Sequence, residues 1–201
     1  MDDTCVSLDT VNINTPVNFI RLREMLEPYL DREKVKFVLQ GFEYGFRIGV
    51  EKEMGPGSSR NNRSALGNKI EVSRAIQKEV NNGCLAGPFK NKPCVPFHCS
   101  PISAVAKPDK SVRLLLDMSS PRGDALNEAI DPLVYSCHYS HLDNAVGMVK
   151  KLGRGAYLCK IDLKNAFRIC PVNRKDWWLL GFKWEGMYYV YIKLPYGSRH
   201  I

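Results

Sequence analysis

Leu158-Cys-Lys-Ile-Asp-Leu-Lys-Asn-Ala-Phe-Arg168 is the stretch that decides how this chain is read. Tyr157 to Asp162 reads as a buried strand, and a short helical turn follows it through Phe167. Asp162 therefore stands at the end of an apolar strand, just before the chain turns. A carboxylate fixed at such an edge suits Mg²⁺ held together with substrate phosphates, because hard divalent ions take oxygen ligands. The same side chain can instead cap the helical turn. Both readings fit the segment taken alone.

Outward from that stretch, local signals alternate between helix and strand. Upstream, Ser140 to Asp143 has the Ser-x-x-Asp form of a capping box, opening a helix that runs to Leu152 and stops at Gly153. Before it, Ile102 to Ala106 and Ser111 to Met118 read as a hairpin about Lys107-Pro108-Asp109-Lys110. Alternation puts Arg113 and Asp117 on one face of that hairpin and Val112, Leu114 and Leu116 on the other. A cationic hairpin tip carrying Lys107 and Arg113 can close on a triphosphate. It can equally be a solvated turn with a surface ion pair. Downstream, Trp177 to Trp184 and Met187 to Lys193 read as a second hairpin about Glu185-Gly186.

The N-terminal part is helical by pattern. Thr15-Pro16 predicts an N-cap and a first helical position for a helix over 16–30, and Asp31 caps a second helix with Val35, Val38, Leu39 and Phe42 on one face. Ile70, Ser73, Ile76, Gln77 and Val80 predict a helix over 68–80, ended by Asn81-Asn82-Gly83. Met54 to Asn62 reads as a flexible loop, and the four prolines of residues 84–101 as irregular extended chain. No repeat occurs, and the fold class is α+β.

Composition narrows the function. Of 201 residues, 44% are hydrophobic and 25% charged, which excludes wholesale disorder. The longest apolar run, Met187 to Ile192, is far short of the roughly 18 residues that span a bilayer. The acidic start Met1-Asp2-Asp3-Thr4-Cys5 lacks the apolar stretch of a secretory signal, so the expected setting is intracellular, nuclear or cytoplasmic. The formal charge is +8; residues 101–201 hold 15 basic against 9 acidic side chains, which suggests a polyanion such as nucleic acid on that half. Seven scattered cysteines include no Cys-x-x-Cys pair. The groups Cys94/His98/Cys99 and Cys137/His138/His141 lack zinc-finger spacing, so reduced thiols are expected.

Five short motifs now fall in one order: Ser100-Pro-Ile-Ser-Ala-Val-Ala-Lys107, Arg113-Leu-Leu-Leu-Asp117, Leu126-Asn127, Lys160-Ile-Asp-Leu-Lys-Asn-Ala-Phe167 and Leu194-Pro-Tyr-Gly197. In that order they resemble the reverse transcriptases of retroelements. The flanking text, including Gly41 to Gly49, Gly87-Pro-Phe89 and Leu179-Leu-Gly-Phe182, is most similar to the tyrosine-recombinase (DIRS-like) class. The resemblance implies the fingers and incomplete palm of a right-hand polymerase: a disordered N-terminus over 1–14, a helical N-terminal region and fingers over 15–150, and a partial palm over 151–201. It implies that Asp162 is the first catalytic, metal-binding aspartate. Lys107 and Arg113 meet the triphosphate, Phe167 is the aromatic gate against a ribose 2′-hydroxyl, and Tyr196 and Gly197 pack beside the nucleotide. The implied partners are RNA template, DNA primer, RNA–DNA hybrid and deoxynucleoside triphosphates, with other domains of a polyprotein; the implied cofactor is Mg²⁺.

The family's aromatic-x-Asp-Asp element has no counterpart after Asp162. The resemblance therefore implies a fragment that is inactive as an isolated chain, one exon or reading frame of a longer product. Two other readings stand beside it: a basic nucleic-acid-binding module without catalysis, and a non-functional retroelement relic.

Overall fold

The computed structural model describes residues 8–57, 60–135 and 139–198. Cys5, Ser58, Ser59, Cys137 and His138, which enter the expectations above, lie outside the described residues, as do residues 199–201. The helices are α1 (Phe19–Leu26), α2 (Arg32–Tyr44), α3 (Arg63–Leu66), α4 (Lys69–Asn81), α5 (Pro132–Tyr135), α6 (Leu142–Leu152) and α7 (Ala166–Ile169). The strands are β1 (Leu85–Phe89), β2 (Ile102–Ala106), β3 (Val112–Leu116), β4 (Gly181–Trp184) and β5 (Met187–Tyr191). They form two antiparallel sheets, the β2–β3 hairpin and a three-stranded sheet in the order β1-β5-β4.

Helix α4 joins the two sheets, packing on both β3 and β1. Its inward face is set by Val72 and Ile76, 0% and 3% exposed, one turn apart. This corrects the face read from the sequence: Ile70 is 69% exposed and Gln77 is also outside. Between the sheets lie Phe97, Ile102, Leu116, Leu126, Phe182 and Val190, all buried. Asn61 and Asn62, at the end of the stretch read as a loop, are tied into the fold. Asn61 accepts from Ile102 N and donates to the Lys183 carbonyl, while Asn62 donates to Ser103 Oγ and to Asp117 Oδ2.

Several boundaries differ from the expectations, each for a local reason. The first helix is shorter, because Asn18 and not Thr15 accepts from Arg21 N; the Thr15 hydroxyl donates instead to the Ile169 carbonyl. The cap of α6 sits at His141, whose N–H donates to Asn144 Oδ1, rather than at Ser140 with Asp143. Residues 84–101 contain a strand the prolines concealed. β1 tolerates Pro88 because it is a sheet edge, and its register with β5 shifts between Ala86 and Phe89. Arg174–Leu179 is a 3-10 helix, not the start of β4. The β4–β5 turn is as read, with Glu185 and Gly186 both at positive φ.

The largest departure is at the decisive stretch itself. Residues 157–163 belong to no strand, and they are exposed rather than buried: Tyr157 is 100% exposed, Leu158 77% and Ile161 82%. A strand needs a neighbour to accept its backbone bonds, and among the described residues none lies alongside it. Helix α6, just before, buries no residue.

Candidate nucleotide-binding cleft

A cleft of about 840 Å³ opens between α4, the β2–β3 hairpin, α7 and the chain that follows β5. Seven basic side chains line it, Arg74, Lys78, Lys107, Arg113, Lys164, Arg168 and Lys193, against two acidic ones, Glu71 and Glu79. Arg74 pairs with Glu71 and Arg168 with Glu79. The remaining five cations have no ion-pair partner among the described residues. A concave surface with such an excess focuses positive potential and attracts phosphates.

The hairpin tip is ordered by Asp109, whose Oδ1 accepts from both the N–H and the hydroxyl of Ser111; these bonds hold its carboxyl below the ordinary range. Lys107 and Ser111 close the turn through a backbone bond of 2.8 Å. Arg113 points outward from β3, as alternation requires, and its guanidinium stands 5.1 Å over the ring of Tyr196. Tyr196 is held there by its own backbone, because Leu116 N donates to the Tyr196 carbonyl at 2.9 Å. Asn127 Nδ2 donates to the next carbonyl, that of Gly197, at 2.9 Å. Gly197 has φ +110°, and a Cβ there would overlap the Leu116 carbonyl oxygen, so only glycine lets the loop approach β3 this closely. Phe167, on α7, meets Tyr196 edge-on with ring centroids 5.5 Å apart.

Arg113, Asn127, Phe167, Tyr196 and Gly197 are far apart in sequence, and the fold brings them into contact around the loop at Tyr196, while Lys107 lines the same cleft from the hairpin tip. Asp162 is different. It is exposed, and the cleft lining begins two residues later, at Lys164 and Asn165. Two further carboxylates, Asp117 and Asp176, are committed elsewhere. Asp117 accepts from Asn62 and Ser119 N, and the 2% exposed Asp176 accepts from Ile48 N and Arg47 Nε, both at 2.8 Å. No group of three His, Cys, Asp or Glu able to hold a metal exists among the described residues. The donor set in hand therefore does not fit Mg²⁺, which needs converging oxygens.

Two side chains of the cleft escaped the sequence reading. Arg168 is 7% exposed and Lys193 6%. The backbone explains their meeting: after α7, Val172 N donates to Ile192 O and Leu194 N to Cys170 O, so the two segments run side by side. The available signal was a charge inside an apolar run, Phe167-Arg168-Ile169 and Ile192-Lys193-Leu194. The buried thiol of Cys84 also lines the cleft and stays protonated; burial pushes it up to about 11. On the far side of the molecule, His98 Nδ1 lies 3.0 Å from the Gly55 carbonyl, so it is engaged in the core beside Cys99.

No family model matches the chain. It is 31% identical over 98 residues to the Pro-Pol polyprotein of simian foamy virus type 1 and 30% identical over the same length to that of feline foamy virus. Those matches cover 49% of this chain and 8% of each polyprotein, so the chain spans a small part of the curated relatives it matches. Among solved structures, the prototype foamy virus protease–reverse transcriptase superposes with a TM-score of 0.52 at 18% identity, over 92% of this chain and 26% of that one. The foamy viral protease–reverse transcriptase in complex with double-stranded DNA gives 0.50 at 18% identity, over 92% and 40%. The mixed helix-and-strand fold seen here is thus the fold of a segment of the foamy virus protease–reverse transcriptase.

Proposed function

We propose that this chain is the fingers, over 15–150, and a partial palm, over 151–201, of a retroelement reverse transcriptase, nearest to the DIRS-like class. One observation carries the reading. One residue from each of the five motifs touches the next beside a cationic cleft: Asp117 N donates to the Pro101 carbonyl, Leu116 N to the Tyr196 carbonyl and Asn127 Nδ2 to the Gly197 carbonyl, while Phe167 meets the Tyr196 ring. In this reading Lys107 and Arg113 neutralise a triphosphate, Tyr196 and Gly197 flank the nucleotide, and Phe167 screens the sugar. The foamy virus relative bound to DNA supports nucleic acid as the partner. RNA template, DNA primer and their hybrid follow, along with further domains of a polyprotein and an intracellular setting. Asp162 acts as a metal ligand for Mg²⁺ only when further carboxylates join it, so the isolated chain is inactive.

The test is extension of the chain with an aromatic-x-Asp-Asp hairpin and thumb from a close relative. Primer extension on RNA should appear, vanish with Asp162→Asn, and admit ribonucleotides with Phe167→Ala. An extended, folded protein that copies RNA equally well with Asp162→Asn would remove Asp162 from the reading.

A second reading is favoured by the exposure of Asp162 and the free cations of the cleft: a basic module that binds nucleic acid without catalysis. Salt-sensitive binding that persists in an extended protein unable to add nucleotides would select it.

A further inference from the structure

Two cations more than nine-tenths buried, Arg168 and Lys193, line the cleft, and one carboxylate, Glu79, pairs with the first of them. Arg168 is held on several sides and keeps one nitrogen without a partner. Its Nη1 donates to the Leu194 carbonyl at 3.0 Å, its Nε lies 3.1 Å from Glu79 Oε2, and its guanidinium stands over the rings of Tyr191 and Tyr196 at 4.8 and 4.9 Å. Its Nη2 is buried and makes no hydrogen bond. Lys193 is 6% exposed, lines the same cleft, and has neither an ion pair nor a hydrogen bond among the described residues. Glu79 answers one of the two charges, through Arg168. A buried cation with no counter-charge is costly to fold, and the cost is recovered when an anion enters. Lys78, Lys107, Arg113 and Lys164 line the same cleft, so the anion that fits has several negative charges along its length.

We infer that Lys193, braced by Arg168, is a phosphate seat in the cleft, receiving the triphosphate chain of the nucleotide that Lys107 and Arg113 also meet. The inference rests on the nucleotide reading of the cleft and extends it inward. Arg168 acts as a positioning residue. It anchors the Leu194 carbonyl, which fixes the backbone next to Lys193, and stacks on Tyr196, which fixes the wall above. Lys193 supplies the charge, and its ammonium donates to a phosphate oxygen without any proton changing owner.

The test uses the full chain and inorganic tripolyphosphate as probe, with a deoxynucleoside triphosphate and a single-stranded oligonucleotide as separate arms, all by calorimetry at low salt. Lys193→Met should weaken tripolyphosphate and nucleotide about tenfold or more, the size of a lost charge-assisted bond. Lys193→Arg should restore most of it. Lys36→Met, which removes the same charge from the exposed face of α2, should change nothing. No tripolyphosphate binding by the unsubstituted chain, or unchanged binding by Lys193→Met, overturns the seat. Nucleotide bound equally by wild type and Lys193→Met overturns the seat and leaves the nucleotide reading standing. Tripolyphosphate bound through Lys193 with no nucleotide binding does the reverse. A loss confined to the oligonucleotide arm reassigns the lysine to a nucleic-acid backbone and overturns the triphosphate assignment. Lysine-selective NMR reads the contact without any substitution: the Lys193 ε-methylene resonance should shift on adding tripolyphosphate, and a fixed resonance refutes it.

Discussion

Gly197→Ala is expected to cost the chain both stability and its cleft. Two terms arise from the structure. At φ +110° an L-residue is strained, by about 1–3 kcal/mol. The added Cβ also meets the Leu116 carbonyl, backbone that cannot swing away, so the loop must retreat. Retreat breaks the Leu116 N to Tyr196 O bond and the Asn127 Nδ2 to Gly197 O bond, at about 1 kcal/mol each. The sum is about 3–5 kcal/mol, a large share of the roughly 5–15 kcal/mol that holds a domain together. With a urea slope of about 2 kcal/mol/M, the unfolding midpoint should fall by about 2 M. Gly186→Ala is the control. Gly186 has φ +87°, yet nothing lies within 4 Å of a Cβ there, so it carries the strain without the collision and should lose about 2 kcal/mol less, the worth of the two bonds that stay made. Equal midpoints for the two variants would refute the argument that close approach to β3 is what demands glycine at 197.

Asp176→Ala should lower stability by about 2–4 kcal/mol in the same assay, since it strands the buried Ile48 N–H and frees Arg47; a loss under 1 kcal/mol would contradict the bonding described. Asp162→Asn should leave the melting temperature of the isolated chain unchanged, because the residue is exposed, and Mg²⁺ should bind no tighter than about millimolar with or without it. A tight stoichiometric Mg²⁺ site lost in that variant would refute this. Alkali should destabilise the chain: burial raises Tyr191 from 10.0 to about 12, so the folded state keeps the phenol neutral while the unfolded state ionises. Stability is thus full below pH 10 and falls through pH 12; Tyr191→Phe should flatten that fall, and an unchanged pH profile would count against it.

How much of this was legible in the sequence depended on the range of the interaction that fixes each part. The β2–β3 and β4–β5 hairpins, the Asp31 cap of α2 and the end of α4 were readable, because turn and cap chemistry lies within a few residues. β1 was hidden: its strand character comes from β5, and Gly87-Pro88 argues against a strand unless the edge position is known. Tyr157 to Asp162 misled for the complementary reason. Its apolar pattern is that of a strand, but pattern does not supply the neighbour that makes one. For the cleft, Arg113 was placed correctly on the outward face by alternation alone. Arg168 and Lys193 were not visible, since a basic residue within an apolar run is buried or exposed according to what lies across from it.

The pairing of β1 with β5 also governs how the chain folds as it is made. Leu85 waits for Tyr191, and Cys84 O for Ile192 N, so a ribosome must deliver both before the three-stranded sheet closes. During that interval α4 can form, but its Val72 and Ile76 have only the β2–β3 hairpin to rest on, and the apolar side of β1 stays wet. Translation that pauses before Met187 therefore leaves a nascent chain rich in exposed Leu85, Phe89 and Phe97, the sort of surface that chaperones bind. Closure of the sheet is a long-range event, because Leu85 and Tyr191 must meet across the whole of the chain between them.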